Sequence, residues 1–318
     1  MTVGIISHYR CGEHDMGEHH PENGKRLTAI SDQLIRSGLD YVIRQFDAKP
    51  IDKSLISLAH SQDHIDFVFD NAPTVEGEYF TVGEDSVMSS KTLTSIMLSA
   101  GAAVDAVDLV MNKTISRAFC ATRPPGHHAE HNKGMGFCFF NNVAIAAAYA
   151  RKKYQLKRVA IVDFDVHHGN GTEDIVRNYF PTVDNTSNEG YLFCSSYQYP
   201  FYPFDIKESD TPPVINTPLA ATTKGEDFRK AISEHWLPAL RKFKPEMIFI
   251  SAGFDAHLED DMSHVSLTES DYRWVTHELR EIALEFGEGR IVSVLEGGYN
   301  LSALGRSVVA HINGLIGN

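Results

Sequence analysis

The feature that most constrains the fold of this 318-residue chain is a regular alternation of short apolar runs with longer amphipathic stretches. The apolar runs are typical of strands buried on both faces, and the stretches between them have helical periodicity. This alternation predicts an α/β fold in which helices cover both faces of a mostly parallel sheet. Because no repeat, low-complexity tract or linker interrupts it, residues 1–318 are expected to form a single domain. The predicted strands are 2–7, 117–121, 158–163, 190–195, 246–251 and 290–295, and the predicted helices lie near 24–37, 61–72, 89–111, 141–154, 224–243, 268–286 and 301–315.

Local signals refine this outline at three places. The first helix is expected to end at Gly38, and Thr268 with Asp271 is typical of a helix N-cap. Residues 181–223 are the least regular stretch, rich in Pro, Thr, Ser, Asn and Tyr. We expect them to form a long surface loop, and loops of that length in compact domains are often functional.

Four groups of polar residues follow predicted strands at the point where each strand ends. In open parallel sheets, active sites gather at the carboxyl ends of the strands, so we expect these groups to converge. Their convergence is a stronger indication of a site than any one of them alone. The groups are residues 123–128, 163–171, 251–257 and 296–299.

The second group predicts a metal site. Asp163, Asp165 and His167 alternate along the chain, so in an extended segment their side chains would leave on the same side. Buried carboxylates are costly unless a cation or hydrogen-bond donors neutralise them. With Asp255, the pair Asp165 and His167 forms a three-ligand set for a divalent metal that leaves a position for water. Zn²⁺ fits this set, as do Fe(II), Co(II) and Mn(II); the alternative is that Asp163 and Asp165 are helix caps or loop acids.

A histidine pair and a tyrosine add candidate catalytic groups. His127 and His128 follow Pro-Pro-Gly, which fixes the chain and permits a tight turn, and imidazoles titrate near neutrality. One could take a proton from water while the other stabilises charge. Asp163 is the expected partner of one imidazole, and Asn170, which is not an acid, is available to the other. The alternatives are a second pair of metal ligands or a structural pair.

Tyr299 follows two glycines, and its phenol could donate a hydrogen bond to a developing oxyanion. Together with the metal site and the histidines, it predicts metal-assisted hydrolysis. No phosphate-binding glycine loop follows the first strand, so nucleotide-dependent chemistry is not predicted.

Composition excludes several other classes of function. The net charge of −13 argues against a nucleic-acid ligand and favours solubility. The N-terminus lacks the features of a signal peptide, and no apolar run approaches the roughly 20 residues that span a bilayer. We expect no membrane association, no disulfide framework and a cytoplasmic location. The four cysteines form no Cys-x-x-Cys pair and are Cys11, Cys120, Cys138 and Cys194.

The motifs resemble those of the zinc-dependent histone deacetylase family, which includes bacterial deacetylase-like amidohydrolases, acetoin-utilisation proteins and acetylpolyamine amidohydrolases. The likeness runs from about His20 to the C-terminus, and Asn170 is the usual residue of the class II branch. The resemblance implies an arginase/deacetylase-like α/β fold and removal of acyl groups, typically acetyl, from lysine side chains. The matching segments are 123–130, 136–142, 162–172, 251–256 and 295–300.

The resemblance also implies roles for individual residues. Zinc would be bound by Asp165, His167 and Asp255. His128 would be the general base and acid, His127 its electrostatic partner, and Tyr299 the group that polarises the amide carbonyl. A structural potassium ion would be held by Asp163, by backbone carbonyls of Asp165, His167 and Ser196, and by the Ser195 hydroxyl. The acyl-lysine channel would be lined by Gly136, Phe137, Tyr202 and Met262.

Two departures from the family pattern bear on the substrate. The segment 204–213 is short where relatives carry a longer glycine-rich loop, and Asp260-Asp261 stands where Asp-Pro is frequent. Tyr202 also stands where Phe is frequent, which makes the channel more polar. Met262 would be an apolar gatekeeper, and because Glu at that place accompanies polyamine substrates, Met262 favours acyl-lysine.

Three other functions are alternatives to lysine deacylation. A deacetylase of small N-acyl amines such as acetylpolyamines keeps the chemistry and changes the substrate. A non-catalytic acyl-amine binding module would be expected to lack Tyr299, His127 or His128, yet all three are present. An arginase-like ureohydrolase needs a second metal, and only one full ligand set is visible.

Overall fold

A mostly parallel, nine-stranded sheet forms the centre of the fold. The computed structural model describes residues 2–180, 189–204, 206 and 210–317. The described strands are β1 (Val3–Ser7), β2 (Arg44–Asp47), β3 (Phe80–Val82), β4 (Ser86–Met88), β5 (Arg117–Cys120), β6 (Arg158–Asp163), β7 (Gly190–Gln198), β8 (Asp210–Thr211), β9 (Val214–Leu219), β10 (Met247–Ala252) and β11 (Ile291–Leu295). The order in the sheet is β2-β1-β5-β11-β10-β6-β7-β9-β8, and β3 pairs with β4 separately. Among the described strands of the large sheet, only β8 runs antiparallel to its neighbour.

Helices connect the parallel strands. The helices of the described residues are α1 (Lys25–Arg36), α2 (Lys53–Ile56), α3 (Gln62–Asp70), α4 (Thr92–Met111), α5 (Asn142–Tyr154), α6 (Asn170–Asn178), α7 (Gly225–Phe243), α8 (Glu269–Phe286) and α9 (Leu301–Ile316). All six predicted strands and all seven predicted helices are present, with ends shifted by a few residues. Gly38 follows the end of α1 with φ of 75°, and Thr268 with Asp271 forms a capping box.

The central strands bury both faces because alternate residues join two different cores. In β6, Val159 and Ile161 belong to the core beneath α4 and α5. Ala160 and Val162 point the other way, into the core beneath α1, α7, α8 and α9. An uninterrupted apolar strand is therefore what a sheet covered on both faces requires, as predicted.

Helix α4 corrects one expectation drawn from the sequence. By length and composition it could cross a membrane, whereas no apolar run was expected to approach that length. The structure gives a different reason for its hydrophobicity, since 67% of its most apolar 18-residue window is buried inside the protein. It packs against α5 and β5, and a helix that is apolar on most sides is typical of a protein core.

The prediction of a surface loop at 181–223 is wrong for much of that range. β7 extends to Gln198 with every residue buried, and β9 is a further, largely buried strand beside it. The apolar pattern of the sequence did not predict β9, because two of the buried residues of this strand are polar. Asn216 Nδ2 donates to Glu173 at 2.8 Å, and Thr217 Oγ1 accepts from Trp236 Nε1 at 3.2 Å. Residues 181–188, 205 and 207–209 of the predicted loop and of the divergent 204–213 segment lie outside the described residues.

The order of the sheet brings the four polar groups together. Their parent strands β5, β11, β10 and β6 are consecutive neighbours, although they are far apart in the chain. All four run parallel, so their carboxyl ends lie at one edge. The predicted convergence is confirmed, and the candidate site lies at this edge.

Candidate active site

Asp165, His167 and Asp255 form a buried group that could hold a metal ion. One ligand atom from each lies within 4.8 Å of the other two. The predicted alternation along an extended strand does not explain their convergence. Strand β6 ends at Asp163, and Asp165 and His167 lie in the bend beyond it. The bend is fixed by backbone contacts instead: Asp165 Oδ1 accepts from the His167 N–H at 2.9 Å, and Asp163 Oδ1 accepts from the Asp165 N–H at 3.0 Å.

The charges of this group fit a divalent cation. His167 Nδ1 lies 3.1 Å from Asp165 Oδ1 and 3.2 Å from Asp255 Oδ2. Asp255 Oδ2 is nevertheless a buried atom with no hydrogen-bond partner among the described residues. Burial and the neighbouring Asp165 carboxylate raise the pKa of Asp255 to about 6. A buried carboxylate oxygen that has no hydrogen-bond partner among the described residues and lies near a second carboxylate is a place where a cation would lower the free energy.

Gly297 allows the two carboxylates to approach the end of β11. Its N–H donates to Asp165 Oδ2 at 2.8 Å. A Cβ at this position would collide with the carboxylates of both Asp165 and Asp255. The Gly-Gly segment thus supplies room for the ligands as well as a turn before Tyr299.

His127 is paired with an acid and carries a positive charge. Its Nδ1 lies 2.9 Å from Asp163 Oδ2, as predicted for one of the two imidazoles. Burial lowers the pKa of His127, but the carboxylates of Asp163 and Asp165 outweigh burial and raise the pKa to about 10. An imidazole that is protonated near neutral pH stabilises negative charge and does not act as a base there.

His128 has the opposite electrostatic environment. Its Nδ1 lies 2.7 Å from Asn170 Oδ1, a neutral partner. Burial and the cationic rings of His127 and His167 lower the pKa of His128 well below its usual value. His128 is therefore neutral and able to accept a proton, and its ring lines the cavity described below. Neither imidazole belongs to the metal-ligand group found among the described residues.

Glu296 anchors the turn that carries both imidazoles. Its Oε2 accepts from the N–H groups of Gly126 at 2.7 Å and His127 at 3.1 Å, and its Oε1 accepts from Ser251 Oγ at 3.0 Å. Burial raises the pKa of Glu296 to about 7. Sequence reasoning placed Glu296 in a strand-end group but gave it no role. Gly126 and His127 lie about 170 residues away in the chain and Ser251 lies 45 away, so the sequence offers no local signal for these contacts.

A narrow cavity leads to the histidines and the metal group. Its volume is about 240 Å³. Gly136 is close to His128: it has φ of 58°, and a Cβ there would collide with the His128 ring. Phe137 and Tyr299 meet edge to face at 6.2 Å. The lining residues are Asp85, His128, Gly136, Phe137, His167, Phe201, Tyr202, Met262 and Tyr299, which include all four residues predicted to line a channel.

Asp85 is a cavity residue that sequence reasoning missed. Its Oδ1 accepts from the Gly136 N–H at 2.8 Å, and its Oδ2 accepts from the Tyr202 hydroxyl at 3.1 Å. The carboxylate thus ties together two walls of the cavity. No strand-end motif contains Asp85, because it comes from the loop before the short strand β4.

Tyr299 lies half-buried in the cavity wall. Burial raises the pKa of its phenol well above the usual value, so the hydroxyl remains a proton donor at neutral pH. The guanidinium of Arg26 lies 5.1 Å from the centre of its ring and donates to the Gly298 carbonyl at 2.7 Å. These contacts hold the backbone before Tyr299 and one face of its ring.

The residues predicted to hold a monovalent cation are also brought together. Asp163 and Ser195 face each other in the register of β6 and β7. The hydroxyls of Ser195 and Ser196 are buried and have no hydrogen-bond partner among the described residues. Unpaired buried hydroxyl oxygens beside a carboxylate are suitable ligands for such an ion.

Comparison with known proteins adds independent observations. Residues 20–315 match the family model described as histone deacetylase domain. A probable deacetylase of Archaeoglobus fulgidus is 33% identical over 95% of this chain and 82% of its own length. The human protein named polyamine deacetylase HDAC10 is 32% identical over 93% of this chain and 45% of its own length. The crystal structure of the HDA15 HD domain matches 100% of this chain and 88% of its own, with a TM-score of 0.89 and 30% identity.

Proposed function

This chain belongs to the histone deacetylase family, and from that membership we propose that it removes acyl groups, chiefly acetyl, from lysine side-chain amides with the help of a bound divalent metal ion. Membership of this family supports deacetylase activity, that is, hydrolysis of acyl amines. The metal, the roles of the residues and the choice of lysine are our proposal. We also propose that residues 1–318 act as one catalytic domain, because the strands that lead to the metal ligands, the histidine pair and Tyr299 all belong to one sheet.

One observation carries the proposal: a buried group of two carboxylates and one imidazole lies beside a cavity that is also lined by His128 and Tyr299. The pKa of His128 is lowered and that of Tyr299 is raised, which favours the neutral form of each. Asp165, His167 and Asp255 would hold the ion. When bound, a divalent ion supplies Lewis-acid chemistry, polarising the acyl carbonyl and acidifying water. Zn²⁺ fits the donor set, and Fe²⁺ or Co²⁺ would also fit.

The two histidines divide the work of proton transfer. Asn170 engages Nδ1 of His128, which leaves Nε2 to take a proton from the attacking water. The same atom then delivers this proton to the amine nitrogen as the amide C–N bond breaks, so that an amine and a carboxylate leave. His127 stays protonated beside Asp163 and stabilises the negative charge that develops.

Tyr299 is proposed to stabilise the oxyanion. Its phenol keeps its proton, lies in the cavity wall and can donate to the carbonyl oxygen as charge builds there. A potassium ion held by Asp163 and Ser195, with backbone carbonyls of Asp165, His167 and Ser196, is proposed as a structural element behind the site. The unpaired Ser195 hydroxyl supports it.

The cavity supports an acyl-lysine substrate. Phe137 and Tyr202 supply flat walls for an aliphatic stem, and Met262 supplies an apolar side chain. A second candidate, deacetylation of a small N-acyl polyamine, is favoured by the Asp85 carboxylate, which would attract an ammonium group. All four cysteines are buried and free, which supports a reducing compartment such as the cytoplasm.

Turnover assays on the metal-reconstituted protein test the proposal. An acetyl-lysine peptide, N-acetylputrescine and N-acetylspermidine would be assayed in parallel, with a hydroxamate as inhibitor. We expect hydroxamate-sensitive turnover of the peptide, and a loss of at least about 10²-fold in turnover for His128→Ala with metal still bound. Preference for the polyamines would transfer the function to small amines. No turnover of any of the three substrates, with metal bound, would contradict acyl-lysine deacetylation.

A further inference from the structure

Asp260 is a buried carboxylate that the mechanism above does not use. It is 5% exposed, although it lies between the exposed residues Glu259 and Asp261. Its Oδ2 accepts from the N–H of Tyr299 at 2.6 Å and from the N–H of Asn300 at 2.8 Å. Its Oδ1 accepts from the N–H of Met262 at 3.1 Å. One side chain therefore holds the backbone of two residues that line the cavity.

These contacts place the Asp260 carboxylate at the beginning of a helix. Asn300 is the N-cap of α9, so Asp260 Oδ2 lies at the N-terminal end of that helix. Unsatisfied N–H groups and the positive end of the helix dipole both stabilise an anion there. The neighbouring backbone reinforces the contact, because Asn300 Nδ2 donates to the Glu259 carbonyl at 2.8 Å.

The contacts from Asp260 follow directly after two glycines, the residue type whose backbone is least restricted. Gly297 and Gly298 precede Tyr299, and Gly298 has φ of 119°. On the other side, the loop that carries Asp260 begins at the proposed ligand Asp255, whose carbonyl accepts from Ser263 Oγ at 2.9 Å. Asp260 thus links the loop after β10 to the segment after β11.

We propose that Asp260 is a positioning residue that sets the place of the Tyr299 phenol relative to the metal ligands and Met262. The proposal rests on the proposed function. Asp260 acts through the backbone of Tyr299 and touches no reacting atom. A displacement of about 1 Å at a catalytic group can lower turnover by about 10²-fold, so a single backbone clamp can matter for catalysis.

Asp260→Asn tests the clamp, with Asp261→Asn as the matched control. An amide has one acceptor oxygen, so it can serve either Met262 or the Tyr299 and Asn300 pair, but not both. The control removes the same charge from the exposed neighbour. For Asp260→Asn we expect kcat to fall about 10- to 100-fold with KM changed less than about threefold, while Asp261→Asn stays near wild type. Equilibrium dialysis should show one metal ion per chain in all three proteins.

Two further measurements separate positioning from general damage. Hydrogen exchange of the peptide spanning 296–301 should quicken in Asp260→Asn, and exchange in the strands β5 and β6 should be unchanged. In a double-mutant cycle, Asp260→Asn should cost little further kcat once Tyr299→Phe has removed the hydroxyl that the clamp positions. If Asp260→Asn fails to fold, Asp260→Glu, which displaces the carboxylate by one methylene, takes its place in each measurement.

The outcomes also distinguish this inference from the proposed function. Unchanged exchange at 296–301, or a full additive loss in the cycle, would overturn the positioning role even if the enzyme deacetylates lysine. An inactive wild type would contradict the proposed function and leave the exchange comparison to decide whether Asp260 is a clamp.

Discussion

The two oxygens of Asp255 do different work. Oδ1 accepts from the N–H of Val166 at 3.0 Å and so joins the loop after β10 to the bend after β6. Oδ2 faces His167 without a hydrogen bond. The raised pKa of this carboxyl shows that its negative charge is unfavourable in the metal-free protein. A charge that costs free energy in the folded state and aims at two other ligand atoms is what a metal site requires.

Replacing Asp255 should therefore separate metal binding from stability. Asp255→Asn keeps an acceptor for Val166 but removes the charge, so we expect bound Zn²⁺ to fall from about one ion per chain to near zero. The thermal midpoint of the metal-free variant should be no lower than that of metal-free wild type, because a repulsion with Asp165 is gone. Equilibrium dialysis and calorimetry measure the two quantities, with Asp261→Asn as control. A variant that still binds one ion tightly would refute the role of Asp255 as a ligand.

The neutral partner of His128 offers a test of the proposed base. In Asn170→Asp a carboxylate would face His128 Nδ1 and raise the pKa of the imidazole. A general base must be neutral, so the loss of kcat/KM on the acid side should move to higher pH. The control is Asn178→Asp, an exposed substitution on the same helix. An acid limb that does not move would show that His128 is not the base that this limb reports.

At the residue scale, the sequence predicted those groups whose chemistry shows in their own type and spacing. Asp165, His167 and Asp255 are such residues, and the structure brings them together. Asp85 and Asp260 could not be found in this way. Asp85 binds the N–H of Gly136, 51 residues away, and Asp260 binds the N–H of Tyr299, 39 residues away. Almost any residue type can present an N–H, so neither contact shows in the sequence.

Among the connecting elements, the segment before α1 depends on one buried ion cluster. Glu22 pairs with Arg26 at 3.0 Å, and with Arg123, whose Nη2 lies 2.5 Å from Oε2. All three side chains are fully buried. Arg26 also donates to the carbonyls of Gly298 and Glu296, so the cluster connects α1 and the end of β5 to the segment that carries the proposed oxyanion donor.

This cluster predicts a specific loss of stability in acid. Burial raises the pKa of Glu22, but Arg123 and Arg26 outweigh burial and hold it at about 2, below the ordinary value of 4.5. Stability from this group is complete above about pH 4.5 and is lost as the pH falls toward about 2. The shift corresponds to about 3 kcal/mol in the free energy of unfolding, of which roughly half remains at pH 3.

Urea unfolding of Glu22→Gln at pH 7 and pH 3 measures this contribution. Two buried arginines would lose their partner, so we expect a loss of about 3–5 kcal/mol at pH 7 and a smaller difference from wild type at pH 3. Glu13→Gln, which disrupts only the exposed pair with Arg10, should change the free energy of unfolding by less than about 0.5 kcal/mol. An equal loss at both pH values would mean that Glu22 contributes packing and not charge.

Some strands and helices could be predicted from the sequence, and others could not. β6 was predictable because its residues are apolar on both faces, whereas β9 was not, because Asn216 and Thr217 are buried through hydrogen bonds to Glu173 and Trp236. Helix α6 begins at Asn170, inside the motif that was interpreted for its ligands, and its apolar stripe is short. Tertiary contacts decide such elements, and a single sequence does not display those contacts.

Over the whole molecule, the strand order explains why motifs from distant parts of the chain meet. The sequence predicted a parallel sheet with strand-end motifs on one edge, and both are confirmed. It did not predict that β10 and β11, the last two strands, lie between β5 and β6. Strand order depends on which helices pack on which face, as α4 and α5 do on one side, and local periodicity contains no record of that choice.

The net charge of the molecule predicts that every monovalent salt stabilises the fold to a similar degree. The proposed potassium site predicts an additional stabilisation by K⁺. A net charge of −13 repels itself in the folded state, and any monovalent salt screens that repulsion. NaCl, KCl and choline chloride should therefore all raise the thermal midpoint. A built site for K⁺ adds a term that choline cannot supply, because choline is too large to be held by Asp163 and Ser195. At saturating K⁺, the free energy of unfolding in KCl should exceed that in choline chloride by about 1–3 kcal/mol.

Ser195→Ala removes one proposed ligand without changing the net charge. In this variant the extra stabilisation by KCl should disappear, while the rise in choline chloride remains as in wild type, because screening depends on the total charge alone. Calorimetry across 10–300 mM salt would show both effects in one series. Identical curves for KCl and choline chloride in wild type would refute the potassium site and leave screening as the whole effect. If wild type shows the additional stabilisation by KCl and the variant does not, then the buried Ser195 hydroxyl, which has no hydrogen-bond partner in the described part of the chain, is a ligand for the ion.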